Sequence, residues 1–537
     1  MSRKIMHPTR RDFLKNTGIT AIALTSSGLI ANLLTGCATT KIKRNLNPNI
    51  PSIEPSMEDK VILSTGLEYH KLISWKDPIN KSEFFGMNND FIAFIPLEEK
   101  ADEGIMWVNN EFPTPYLIHK ERKSSKKTKD QIIQEQKNVG GSLIHIKKIN
   151  NQWQLVKDSK YNRRISGQTE IPFVNATIQG KKSAIGTLAN CSGGVTPWNT
   201  ILSCEENYDD YYGEYEYKNG LRFKLDTSKY GWDKHFDYDP EHYGWVVEVD
   251  PLTGKAKKHL TMGRMAHECA KPILAKDGRT VVYTGDDAED EHLYKFISDE
   301  KGSLDKGTLY VAHMETGTWR PLTLDNPKLK GKFKDLTDLL VQTRTAAKML
   351  DATPLNRPED IDILPETNTV LIACTNNQKR LDAHGYILAI DEENQDPASL
   401  KFKSYKWLEC GPDAGMSCPD NFAIDKKGNL WVTSDISEKL IGDFPYKGFG
   451  NNGLFYIPTS GEDKGVVYQV ASCPVDAEFA GPCFSPDFKT LFLSVQHPGN
   501  SSSEENGYTS SWPDGEGTIP RSSVIAISGP LLDRLNT

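Results

Sequence analysis

The sequence predicts an all-β fold, a six-bladed β-propeller with inserted loops and short helices. A turn followed by a short apolar strand with a polar or acidic end recurs six times, at residues 100–111, 195–206, 276–287, 365–377, 425–435 and 486–497. Each copy is preceded, 15 to 21 residues before its polar end, by a second feature with one potential ligand. Divergent strand–turn–strand units at such spacing are the mark of propeller blades, and the extra length of the earlier copies reads as insertions.

Composition fits a single large globular body. The chain has 537 residues, 37% hydrophobic and 25% charged, which excludes a multi-span membrane protein, a disordered chain and a collagen-like repeat. A net charge of −8 gives no global electrostatic reason to bind nucleic acid, and none is expected. Acidic side chains are instead available for cations.

The N-terminus reads as a targeting segment. Thr9-Arg10-Arg11-Asp12-Phe13-Leu14-Lys15 precedes an apolar run over 18–34, short for a bilayer span, and resembles a twin-arginine signal, which exports folded proteins. Leu34-Thr35-Gly36-Cys37 resembles a lipobox, making Cys37 the expected lipidation site, with residues 1–37 as signal and 38–58, carrying Pro48, Pro51 and Pro55, as a tether. A membrane-anchored lipoprotein on the periplasmic side or cell surface follows, with residues 59–537 as one propeller carrying insertions near 113–165, 206–245 and 300–350. The eight other cysteines contain no CxxC pair; Cys269, Cys374, Cys410, Cys418, Cys473 and Cys483 read as buried fillers, while Cys204 is ambiguous.

The second features align into a ring. They are Asn88-Asn89-Asp90, Asn190-Cys191, His267-Glu268, Arg357-Pro358-Glu359, Pro419-Asp420-Asn421 and Asp476-Ala477-Glu478. Equivalent positions on the innermost strands of a propeller converge on its axis, so Asp90, Cys191, Glu268, Glu359, Asp420 and Glu478 would meet at the mouth of the channel. Clustered carboxylates raise one another's pKa unless cations lie between them; oxygen ligands suit calcium, and a thiolate among them favours a transition metal such as iron. Asp425 and Asp487 read as turn formers, and His267 as structural or as orienting Glu268. Among the insertions, the seven Lys or Arg of 120–137 read as a solvated helix or loop, the Tyr-, Asp- and Glu-rich stretch 206–245 as a cover over one end, and 332–350 as a packing helix using Leu336, Leu339, Leu340 and Met349. There is no Walker loop, nucleotide-binding GxGxxG or GxSxG elbow.

At these residues the chain resembles the PhoX-type alkaline phosphatases over about 88–523. The motifs are Asn190-Cys191, Thr196-Pro197-Trp198, Cys204-Glu205-Glu206-Asn207, residues 243–250, Gly285-Asp286-Asp287 with Tyr294-Lys295-Phe296, Arg357-Pro358-Glu359, Pro419-Asp420-Asn421, Gln496-His497-Pro498 and Pro520-Arg521-Ser522-Ser523. The resemblance implies a propeller whose axial site holds two ferric ions (Fe3+) bridged by an oxo group, with three calcium ions (Ca2+) around them, and hydrolyses phosphate monoesters. It makes Cys191 and Glu268 iron ligands, and Glu111, Glu206, Glu359, Asp420 and Glu478 ligands shared between iron and calcium. Arg357 becomes the phosphate-binding residue, and Asp90, His267, Asp287 and Asn377 supporting or calcium-binding groups. The chain departs at Asn109-Asn110-Glu111, where the family's pattern is expected to place a histidine before the glutamate. Small phosphate esters and the twin-arginine machinery are the partners implied, with a monomeric enzyme. Two alternatives stay open: a calcium-dependent lactonase or phosphodiesterase-type propeller hydrolase, and a non-catalytic surface-anchored binding propeller.

Overall fold

The structure is a computed structural model that describes residues 46–536. The twin-arginine motif, the apolar run and Cys37 lie outside the described residues, and no helix among those described is long and apolar enough to cross a membrane. Six antiparallel sheets form a ring. Their innermost strands are Asn89–Pro96, Asn190–Val195, Lys271–Leu274, Pro358–Ile363, Pro419–Ile424 and Glu478–Phe484, which define blades 1 to 6. Each packs beside its neighbours around the ring, and the last beside the first.

Why these strands are apolar on both faces follows from where the core lies. It is six layers, one between each pair of blades. In Thr280–Gly285, the second strand of blade 3, Val282 enters the layer shared with blade 2, while Val281 and Tyr283 enter the layer shared with blade 4. Alternate residues of a strand face opposite ways, so a blade buried on both sides reads as a continuous apolar run, the pattern by which the six copies were recognised. Where blade 6 meets blade 1, Phe492 and Val524 pack with Ile92, Met106 and Ile144.

The ring is closed by its own N-terminal segment. Glu68–Ser74 pairs with Ser523–Ser528 to complete blade 6, and Ile62–Leu63 adds to Tyr468–Ser472 of blade 5. Residues 46–58, expected as part of a tether, instead lie against blade 5: the Ile53 amide donates to the Gln469 carbonyl at 2.9 Å, and Leu46 and Ile50 pack on its core. The prolines there set an extended path along the sheet, which looks the same in sequence as a free linker.

The insertions are narrower than expected, because blade strands lie inside two of them. Gly140–Ile149, Gln152–Leu155 and Arg163–Ser166 belong to blade 1, leaving 111–139 as the insertion; it carries the helices Pro115–His119 and Lys129–Asn138, the latter opened by a Thr128–Gln131 capping box. Gly307–His313 and Thr318–Pro321 belong to blade 3. As the fifth strand of an alternating ladder, Thr318–Pro321 leaves the chain at the far end of the blade, and 322–357 is the return path. Its expected single helix is two, Leu336–Val341 and Thr343–Met349, broken at Gln342; Leu339 and Leu340 are buried while Leu336 and Met349 are exposed. Residues 206–245 carry a short helix, a hairpin and a stack of Tyr208, Tyr211, Tyr212, Tyr230, Trp232 and Tyr243. The loops after the second strands of blades 1, 2, 5 and 6 all emerge at one end, around the axis.

Candidate metal centre

Strand register explains why one side chain per blade reaches the axis. In blade 1, Asn89 pairs with Asn110 and Ile92 with Val108, so three steps on one strand face two on the other. The same one-residue bulge follows Asn190, Pro358 and Pro419, and in blade 3 it falls between the His267–Asp286 and Lys271–Tyr283 pairs. The residue after the paired position is Asp90, Cys191, Glu268, Glu359 or Asp420 in turn. A bulge re-aims the side chain it carries, and here it turns that side chain from the inter-blade layer to the axis. Blade 6 differs: Glu478 is itself paired, with Gln496, and the bulge comes between Ala480 and Cys483.

The backbone ahead of the bulge is also unusual. Asn88, Ala189, Arg357, Cys418 and Asp476, each two residues before the ring residue, have φ between 47° and 57°. Left-handed conformations cost non-glycine residues on the order of 1 kcal/mol and persist where surrounding structure fixes them. Arg357 therefore precedes its strand, which begins at Pro358, rather than lying on it.

A second tier comes from the other side of each pair. The residues following the paired position on the second strands are Glu111, Glu206, Asp287, Thr375, Asp435 and His497. Together the tiers line a cup of about 210 Å³ whose walls hold ten carboxylates, Cys191 and a single guanidinium, Arg357. Cys191 Sγ is 3.1 Å from Glu268 Oε1 and 3.3 Å from Asp90 Oδ2. Three sets of ligand atoms lie close enough to share one ion each: Asp90, Glu111 and Cys191; Cys191, Glu206 and Glu268; Glu268, Glu359 and Asp420. Cys191 and Glu268 are the shared vertices.

The charges are not balanced by protein. Burial, then neighbouring acids, pushes Asp90, Glu206, Glu268, Glu359, Asp420 and Glu478 well above the ordinary carboxylate range, and burial lifts Glu111 to about 7. Burial and Asp90 likewise raise the Cys191 thiol. Asp90 Oδ1, Glu268 Oε2 and Glu359 Oε1 are buried without a hydrogen bond. Orphaned oxygens converging with one thiol on shared points fit bound cations, which would supply the missing partners and hold the acids ionised.

Arg357 sits at the rim. Its Nε and Nη2 donate to the two oxygens of Asp287 at 3.0 and 2.8 Å, and Nη2 lies 2.9 Å from Glu359 Oε1. Two of the three guanidinium nitrogens are thereby engaged, on a residue that lines the cup.

Not every candidate joins the site. Asp90 and Asp287 line it. His267 does not: fully buried, its ring bridges Thr284 and the Gly263 carbonyl, and burial lowers its pKa to about 4, so it stays neutral and braces the strand of Glu268. Asn377 is turned away, donating to Asp290 at 3.1 Å and capping the turn at Arg380; register makes Thr375 the blade 4 equivalent. Asp435, Glu438, His497 and Asn500 line the cup without having been singled out as site residues. For Asp435 the signal was present, since it ends one of the six repeats. All eight described cysteines are unpaired, and Cys204, 0% exposed, is a core filler.

A search of curated protein sequences gave no match. Among solved structures, a complex of Pseudomonas fluorescens PhoX with vanadate, a transition-state analogue, superposes with a TM-score of 0.79 at 28% identity, covering 89% of this chain and 98% of that one. A gluconolactonase from Xanthomonas campestris aligns over 86% of this chain and 98% of its own at 9% identity with a TM-score of 0.32, too remote to carry an argument. The family model for alkaline phosphatase PhoX matches residues 49–499, and the chain belongs to that family.

Proposed function

We propose that the axial cup hydrolyses phosphate monoesters and releases inorganic phosphate with iron and calcium bound. The observation that carries this reading is the cup itself: ten carboxylates and a thiol around one arginine, with buried oxygens of Asp90 and Glu268 left without a partner. Cys191, Glu268, Glu111, Glu206, Glu359, Asp420 and Glu478 would hold the ions, with Asp90, Asp287 and Asp435 around them. A mixture of one thiolate with carboxylates suits Fe3+, and the all-oxygen sets suit Ca2+. Bound ions would orient phosphoryl oxygens, offset developing charge and activate the attacking oxygen.

The chain's own residues supply position. Asp287 holds the Arg357 guanidinium at the cup, where it would donate to a phosphoryl oxygen, an interaction that strengthens as charge builds there. Asn207 donates to Glu206 and Asn421 to Asp420, fixing which carboxylate oxygens face inward. Outside the described residues, the reading includes twin-arginine export and a lipid anchor at Cys37, with the enzyme on the outer side of the membrane that exports it.

Metal analysis tests the centre. Iron and calcium should co-purify, a calcium chelator should abolish monoester hydrolysis reversibly, and Cys191→Ser should bleach visible thiolate–Fe(III) absorption. An active preparation with zinc or magnesium and no iron would refute it. Cys37→Ala should release the protein from membranes; unchanged fractionation would make the apolar run the anchor.

A further inference from the structure

Beside the cup, and opening into it, lies a larger cleft of about 550 Å³. The two share Glu111, Phe112, Asn207, Glu438 and Asn500, so a group held at the cup projects directly into the cleft. Its walls come from the insertions 111–139 and 206–245 and from loops of blades 5 and 6. The wall is firm: Tyr211 is fully buried, its hydroxyl donates to the Glu111 carbonyl at 3.0 Å, and its ring lies 4.9 Å from that of Tyr230.

Charge changes sign between the two spaces. Leaving aside the shared residues, the charged groups of the cleft are Arg122, Lys229 and Lys439 against one acid, Asp210. Asp210 is taken by Lys229, 3.1 Å away. Arg122 donates to a carbonyl, that of Ser502 at 3.2 Å, and among the described residues neither it nor Lys439 forms an ion pair. Two cations thus face the cleft without a counter-ion, over an apolar and aromatic wall. Glu111 and Glu438, the other acids, stand at the border with the cup, where Gln496 donates to Glu111 and Asn500 donates to Glu438 at 3.4 Å.

We infer that this cleft binds the alcohol portion of the substrate, and that it selects phosphate monoesters whose leaving group carries a second anionic group, a carboxylate or another phosphate, held by Arg122 and Lys439. The inference rests on the phosphatase reading of the cup and adds the substrate class. A phosphoryl group held in the cup would leave the ester's carbon skeleton against Phe112 and Tyr230, with the second charge at the cationic rim. Each such pair, partly exposed, contributes a modest preference, and two together give about three- to tenfold in kcat/KM at low salt.

The test uses a near-isosteric pair, glycerol 3-phosphate and 3-phosphoglycerate, whose leaving groups differ by a carboxylate in place of a hydroxymethyl. The metal-loaded wild type should favour 3-phosphoglycerate about three- to tenfold in kcat/KM, and the preference should shrink as ionic strength rises. In Arg122→Ala/Lys439→Ala the ratio should fall towards one, with the loss concentrated on the charged ester. A wild-type ratio at or below one, or a ratio unmoved by the double substitution, would overturn the inference while leaving the phosphatase reading intact. Failure to hydrolyse either ester would instead bring down the phosphatase reading, and this inference with it.

Discussion

Buried acids occur in two regions of this molecule, and they are treated in opposite ways. In the blade walls each is answered by protein. Glu392 accepts from Lys295 at 2.9 Å, from the Tyr283 hydroxyl at 2.8 Å and from the Trp319 indole at 3.0 Å. Glu205 has Lys258 at 2.6 Å and the amides of Gly244 and Trp245. In the axial cup, ten acids share one guanidinium, and oxygens of Asp90, Glu268 and Glu359 are left with no hydrogen bond. Single unpaired atoms occur elsewhere, as at Glu291 Oε2 and Asp233 Oδ1, but among the described residues only the axis gathers so many acids around one guanidinium. The deficit is a binding specification, and its size asks for several multivalent cations.

The largest expected effect breaks the Arg357–Asp287 pairing inside the cup. Arg357→Ala should lower kcat for a monoester by about 10²- to 10³-fold, and Arg357→Lys should fall short of wild type because a point charge cannot keep the fork held by Asp287. Iron and calcium contents should not change. If activity, metal content and thermal midpoint fall together, Arg357 is a brace for blade 4, paired with Glu359, and not a substrate ligand.

In the wall, Lys295→Met should leave Glu392 buried without its counter-ion and cost about 3–5 kcal/mol in denaturant unfolding of the metal-loaded protein. Turnover by the folded fraction should persist, since the pair lies between the outer strands of blades 3 and 4. A neutral result would show that walls and cup do not differ as described.

The smallest effect is a pH dependence. Burial alone would raise the pKa of Glu248, but His259, Thr200 and Trp198 outweigh it and hold the carboxyl well below its ordinary value of 4.5. A depressed carboxylate pKa stabilises the fold above the unfolded value, and that stability is lost as pH falls below about 4.5. Glu248→Gln should therefore make stability less steep between about pH 4.5 and 2, a comparison best made at high salt; an unaltered slope would assign the acid sensitivity elsewhere.

Much of this was legible in the sequence because propeller strands obey two simple rules. Apolar runs with polar or acidic ends gave six blades, and the aligned positions before them gave the inner tier from Asp90 to Glu478. What escaped were features set by register. Asn377 sits in the polar end of its repeat, yet register makes Thr375 the blade 4 equivalent, with its hydroxyl on the Pro419 carbonyl, while Asn377 turns to Asp290. Asp435 is visible as a repeat end, but the second tier follows only from the pairing of adjacent strands, which spacing alone does not reveal. Glu438 and Asn500 lie on irregular loops, where spacing carries no information about direction. The insertions were drawn too wide for a related reason: strands such as Gly307–His313 are too short to stand out between polar stretches.

The closure of the ring bears on the order in which the protein comes into being. Ser74 and Ser523, 449 residues apart in the chain, share a hydrogen bond of 2.7 Å in blade 6. One of the first strands made, Glu68–Ser74, has no partner until the last strand, Ser523–Ser528, is available, a long-range pairing of the kind that slows folding. Because blades 1 and 6 become neighbours only at that moment, the cup to which both contribute acids exists only in a finished ring. Metal acquisition is thereby tied to completion of synthesis: a truncated chain can build blades, but it has nowhere to put the ions.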